Sequence, residues 1–319
     1  MKKSLFAVAL ATLAATSAFA QSSVTIYGRL NETVERQKSG TTDPVWRLQN
    51  SSSRIGFKGT EDLGGGLKAG FQIEHGFSPD TGAAAGTFWG RQSEVNIGGG
   101  FGLLRLGNFT SEAYFATSDY IGMHNHETGT SSDSLYAYIG RNINKIAYRT
   151  PSIGGLTVEG AVSLAENGTA RRTVDVAANY AIGPVQLGFG YERDGRTAEQ
   201  FAIRGLYEIG SFVVGAYVQR DTDGYGTGLG KRTTSRLSGM YTLGSSEFHL
   251  NVGSAGKYAN LANSAAKQFT VGYNYNLSKR TKIYGFYTKT DVNALDYAGI
   301  NIGGAGDFSS LAVGIRHNF

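Results

Sequence analysis

Much of the chain alternates apolar and polar side chains with a period of two. Val174, Val176, Ala178, Tyr180 and Ile182 occupy one set of positions, with Asp175, Ala177, Asn179 and Ala181 between them. The pattern returns in Val185, Leu187, Phe189 and Tyr191, in Phe201 and Ile203, in Phe248, Leu250 and Val252, in Phe269, Val271, Tyr273 and Tyr275, and in Leu311, Val313 and Ile315 before the final Phe319. Successive side chains of a strand point to opposite faces, so each segment offers one face to an apolar medium and the other to water. A chain patterned this way is all-β.

A soluble sandwich would alternate in the same manner, and the connections separate the two. Short ones at 64–66, 98–100, 151–155, 183–184, 210–211, 244–246 and 278–280 alternate with longer polar ones near 37–43, 78–87, 109–140, 165–171, 193–198, 221–231, 254–267 and 292–306. Turns at one end and loops at the other predict a 16-stranded antiparallel transmembrane β-barrel with short periplasmic turns and long external loops. A barrel this wide is not filled by its own side chains and keeps a water channel, so the apolar set faces lipid. The modest hydrophobic share of 40% fits a wet interior. Tyr180, Tyr191, Phe212, Phe248, Tyr275 and Phe319, near strand ends, are expected to form the interfacial girdles.

Met1-Lys2-Lys3, the apolar stretch from Leu5 to Ala15 and the small-x-small Ala18-Phe19-Ala20 read as a signal peptide over residues 1–20, leaving 21–319 as one barrel. Nothing after Gln21 approaches the ~18–20 consecutive apolar residues a membrane helix needs. The chain has no cysteine, which removes disulfides, thiolate metal sites and cysteine nucleophiles and suits passage through an oxidising periplasm. A net charge of +5, evenly spread, argues against nucleic acid as a partner.

Several segments then carry a resemblance. The run from Ser53 through Arg54-Ile55-Gly56-Phe57-Lys58-Gly59-Thr60-Glu61-Asp62-Leu63-Gly64 to Ala69, the opening Ser23-Val24-Thr25-Ile26-Tyr27-Gly28, the late Asn276-Leu277-Ser278-Lys279-Arg280-Thr281 and the terminal Val313-Gly314-Ile315-Arg316-His317-Asn318-Phe319 resemble the general diffusion porins of β-proteobacteria. The resemblance implies a homotrimer in the outer membrane, in contact with its lipid and lipopolysaccharide, each subunit a pore narrowed by a third external loop folded into the lumen. The segment at about 109–140 holds that position; it carries Glu112, Asp119, Glu127 and Asp133 and no Lys or Arg.

The polar strand faces nominate Arg29, Arg54, Lys68, Glu74, Lys145, Arg149, Arg204, Arg236 and Arg316 as lumen residues. The resemblance implies that Arg54 and Glu74 lie at the constriction, with Arg91 and Arg141 completing an arginine cluster. The expected constriction thus has a basic wall of Arg54, Arg91 and Arg141 facing an acidic side of Glu74, Glu112, Asp119 and Asp133. Arg91 shares parity with Val95 and Ile97, so only a bulge would turn it inward. Guanidiniums stay charged at any relevant pH, and a wall of them attracts anions. Arg171, Arg172, Lys231 and Arg232 are expected at the rim, against lipopolysaccharide or solvent.

The function this predicts is passive diffusion of small hydrophilic solutes and inorganic ions with a modest anion preference. The alternative is a substrate-specific channel whose saturable site draws on Tyr114, Phe115, Tyr120, Tyr136 and Tyr138. A barrel enzyme would need an acid/His or Ser/His site. The histidines are scattered, and no Gly-x-Ser-x-Gly occurs. His124 and His126 alone are too few ligands for a metal, and Glu61-Asp62 beside glycines reads as a turn. No cofactor, metal or catalytic residue is expected.

Overall fold

A computed structural model describes residues 23–119, 121, 135–140, 142–166, 172–195, 197–292 and 306–319. Its wall begins with β1 Ser23–Ser39, β2 in two pieces, Val45–Asn50 and Arg54–Gly64, β3 Leu67–Ser78, β4 Gln92–Gly99, β5 Gly102–Asn108, β6 Lys145–Arg149, β7 Leu156–Ser163 and β8 Thr173–Ile182. It continues with β9 Val185–Asp194, β10 Ala198–Ile209, β11 Phe212–Thr222, β12 Lys231–Leu243, β13 Ser246–Ala255, β14 Ala266–Asn276, β15 Thr281–Val292 and β16 Phe308–Asn318. Sixteen strands each pair antiparallel with their chain neighbours, and a further two-residue piece, Ala83–Ala84, pairs with the end of β3. β1 also pairs with β16, from Arg29 opposite Asn318 to Ser39 opposite Phe308, and the barrel closes. Gly28 and Phe319 exchange backbone hydrogen bonds of 3.0 and 3.1 Å across that seam. Closure leaves no unpaired sheet edge, which a strand wall in lipid requires.

The alternation read from the sequence becomes an inside and an outside. Along β11, Phe212, Val214 and Val218 are exposed on the outer surface while Tyr217, Gln219 and Asp221 are buried inside. Two-residue turns carry Gly183, Gly210 and Gly244 at φ of 54 to 58°, a left-handed conformation that glycine adopts without steric cost. Above those turns Phe212, Tyr241, Phe248 and Tyr273 stand side by side on successive strands, with ring centroids 4.5, 6.3 and 5.2 Å apart. They form an aromatic row at the turn end of the apolar band. One expected loop is much shorter than read: β9 and β10 continue to Asp194 and from Ala198, so 193–198 shrinks to a tight connection. Cross-strand pairs such as Thr173 opposite Asp194 prolong the ladder into it.

Candidate pore lining and constriction

The described parts of the segment at 109–140 lie inside the barrel. Ser111 accepts a hydrogen bond from Ala113 N (3.1 Å) and caps one helical turn, α1 Glu112–Tyr114, which passes into a π-helical turn over Phe115–Asp119. These turns lie flat on β8 to β10 because the inward positions beneath them are glycines. A Cβ at Gly188 would stand 1.9 Å from the carbonyl oxygen of Ala116, and one at Gly190 2.6 Å from that of Ala113. Further on, Ile121 packs with Leu206 and Tyr217, and Ser238 donates to its carbonyl (2.7 Å). On the returning limb Gln219 brackets Ala137 with two 2.8 Å bonds, one to its N–H and one to its carbonyl. Thr117 and the Tyr136 hydroxyl, 2.8 Å apart, join the two limbs.

Charged groups near this loop are paired with one another. Arg149 reaches Glu159 (2.9 Å) and Glu112, and Glu112 also accepts from Asn179 Nδ2 (3.0 Å). Arg105 lies 2.7 Å from Glu94 and 3.4 Å from Glu159, and buried Lys145 lies 3.1 Å from buried Asp175. Lys145 and Arg149 point inward, and their charges are matched locally. Glu112 anchors the loop to β6 and β8 and does not face the arginines as a loose carboxylate. Asp119 closes the π-helical turn and is half-buried.

Burial pushes the Glu112 carboxyl above its ordinary range, with Arg149 pulling in the opposite direction. It takes up its proton at milder acidity than a free glutamate, and Arg149 then loses one of two partners. The lumen gains net positive charge as pH falls. Anion permeability relative to cations is expected to rise on acidification above the usual carboxylate range, and Glu112→Gln is expected to flatten that rise in salt-gradient recordings.

The opposite wall, formed by β15, β16, β1, β2 and β3, is different. Arg29 stands directly opposite Arg54 in the β1–β2 register, and Lys282 directly opposite Arg316 in the β15–β16 register. Like charges directly opposite on neighbouring strands are destabilising, so this arrangement is not one that stability favours. Arg29 Nε donates to Asn318 Oδ1 (3.1 Å), and Lys282 lies 3.2 Å from Glu247. Glu74 sits within the cluster, 3.7 Å from Arg54 and 2.6 Å from Arg91. It belongs to the basic wall and not to the acidic side where the sequence reading put it.

Arg91 enters the lumen through an irregularity in the wall. β3 pairs through Phe77 with Ala84 and again through Glu74 with Gln92, so residues 85–91 oppose only His75 and Gly76. The excess bulges outward, where Phe88 stacks on His75 at 4.3 Å and Trp89 meets Phe57 edge-on. Its end turns Arg91 inward over Gly76.

Lys68 lies at the turn end of β3, opposite Asp62 and Gly98. Arg204 and Arg236 point inward and are buried on the loop side, the latter bonded to Asn251 (2.5 Å) and Gln268 (2.7 Å). Arg141 and Asp133 lie outside the described residues, as do Tyr120, His124, His126, Glu127 and Arg171. Arg232 corrects the reading of it as a rim residue: it is 2% exposed and points inward. Lys282 and Glu247 were not singled out from the sequence, although parity with outward Ile283 and Phe248 marks both as inward. Among the described residues no group of three His, Asp or Glu could hold a metal.

The comparisons agree with this geometry. The family model described as Gram-negative porin matches residues 7–295. The outer membrane porin protein 32 of Delftia acidovorans is 34% identical, with all of both chains covered. A major outer membrane protein P.IB of Neisseria meningitidis serogroup B is 30% identical, again over both whole chains. Among solved structures, the anion-selective porin from Comamonas acidovorans superposes with a TM-score of 0.80 at 28% identity, covering 94% of this chain and 100% of that one. The trimer form of OmpT from Vibrio cholerae superposes at 0.70 with 15% identity, covering 93% and 99%. A closed sixteen-stranded wall, an apolar outside, a charged inside and whole-length relatives of one kind converge: the chain belongs to the Gram-negative porins and is a diffusion channel of the outer membrane.

Proposed function

We propose that ions and small hydrophilic solutes cross without reaction through the space between the seated loop and the wall of β15, β16 and β1 to β3, with a preference for anions. The observation that carries this reading is the charge balance of that wall. Arg29, Arg54, Arg91, Lys282 and Arg316 share that wall with Glu74 and Glu247, whereas Arg105, Lys145, Arg149 and Arg232 on the loop side each have a carboxylate beside them. The resemblance to a porin described as anion-selective supports it. Arg54 and Arg91 serve as the basic side of the constriction, with Arg29 and Arg316 extending it. Single-channel conductance in planar bilayers is expected to rise in proportion to KCl concentration. Conductance saturated by one solute would favour a specific binding site instead.

Three further assignments belong to this reading: residues 1–20 as a cleaved signal peptide, lipopolysaccharide around the external rim, and a homotrimer. A structure described as a trimer form lies among the similar folds. Glu32 supports assembly independently. It lies midway along β1, on the outward register with Leu30 and Val34, and neither shielded carboxylate oxygen has a hydrogen-bond partner. A carboxylate without a donor at that depth is costly, though less so than the about 2–4 kcal/mol of an Arg or Lys on a barrel's lipid face, so a donor from a second copy is the favoured surrounding. Glu32→Leu is expected to lower the temperature at which unboiled oligomer dissociates on a gel, and an unchanged temperature counts against contact at this face.

A further inference from the structure

Arg232 does more than line the wall. Its guanidinium lies between two tyrosine rings from different external connections, 4.8 Å from Tyr225 and 4.7 Å from Tyr258. Its Nε donates to Asp221 (3.1 Å), which also accepts from the Tyr258 hydroxyl (2.5 Å). It also reaches the pore loop: Nη2 donates to the carbonyl of Leu135 at 3.1 Å. One residue on, the carbonyl of Tyr136 accepts from the Tyr225 hydroxyl at 2.9 Å. No strand ladder includes the limb at 135–140, so side chains hold this backbone; Tyr225 comes from the external connection at 223–230 and Arg232 from the strand end beside it, against which Tyr258 of the connection at 256–265 packs.

We propose that Arg232 is the positioning residue through which those external connections set the aperture of the pore. The guanidinium joins Asp221, both rings and the loop carbonyl into one unit, so a shift of either tyrosine is passed to the returning limb. A ligand that shifted the external connection carrying buried Tyr258 would therefore change the current without entering the lumen. This rests on the reading of the passage as the space beside the seated loop, and the two fail separately. Ion selectivity of the unaltered channel tests that reading; loop mobility in Arg232 variants tests the clamp.

The experiment is single-channel recording of the full-length protein carrying Arg232→Gln, Arg232→Lys, Asp221→Asn or Tyr258→Phe, each checked for the barrel by its heat-dependent shift on a gel. Brief excursions of the open current are expected to become about tenfold more frequent in Arg232→Gln, the factor one charge-assisted hydrogen bond is worth. Arg232→Lys keeps a charge for Asp221 but not the planar fork, and is expected to fall between Arg232→Gln and the unaltered channel. Arg232→Gln with Asp221→Asn is expected to match either alone, because the two act as a unit. The largest uncharged polyethylene glycol that lowers conductance is expected to increase with the excursions. Tyr258→Phe keeps the stacking and loses only one hydroxyl, so it folds even where Arg232→Gln does not, and it is expected to raise the excursion frequency by less than Arg232→Gln. Folded variants with unaltered excursion frequency and polymer cut-off would overturn the proposal.

Discussion

Replacing Arg54 and Arg316 together by glutamine is expected to lower the anion-to-cation permeability ratio about tenfold, the change produced by removing a local potential of a few kT. The two residues sit in adjoining like-charge pairs, Arg54 with Arg29 and Arg316 with Lys282, so each adds to the potential of the other. Salt in the lumen screens charges more than ~10 Å apart at 0.1 M but leaves neighbours on adjacent strands coupled. The loss is expected to be larger at low salt. Removing these cations leaves Glu74 and Glu247 in place, so the wall moves toward neutrality. The barrel itself is expected to persist, because directly opposed like charges are a cost that the substitutions relieve. Reversal potentials in a KCl gradient measure the change, and a ratio that stays put removes these arginines from the selectivity mechanism.

The second large effect concerns the seat of the pore loop. Gly188→Val places side-chain atoms where the Ala116 carbonyl now lies, since even a Cβ would stand 1.9 Å from that oxygen. The wall strand cannot retreat, because its ladder to β8 and β10 is continuous. The π-helical turn that carries Ala116 must lift from the wall, toward the lumen axis. Conductance is expected to fall by about half or more, since it follows the open cross-section. Gly239→Val, on the outward register beside Val214, is the control: an added Cβ meets nothing within 4 Å, and unaltered conductance is expected. Equal effects of the two substitutions would mean that the loop does not rest on Gly188.

The strand pattern made the fold legible in advance. Period-two alternation states which face is wet, and the same parity assigned Arg29, Arg54, Arg204, Arg236 and Arg316 to the inside. Parity alone does not state which inward charges meet. The sequence shows Glu112 in an acidic loop, but only the folded chain brings Arg149 and Asn179 against it. Arg91 fails the parity rule because the rule assumes a regular ladder, and residues 85–91 break it. Arg232 was misplaced for a related reason. It lies at the external end of β12, where a charged residue reads as a solvated rim, yet Tyr225 and Tyr258 fold over it. A signal for the loop seat was present in the inward Gly188 and Gly190 of β9, two successive inward positions without side chains. It becomes readable once small inward residues are treated as docking room.

Traffic through this porin is proposed to run along a wall on which positive charge outweighs negative. The zero-current potential of the unaltered channel in a KCl gradient at neutral pH tests it most directly. A potential with the sign of the chloride equilibrium potential is expected, growing as ionic strength is lowered. A potential near zero, or one with the sign of potassium, would contradict it.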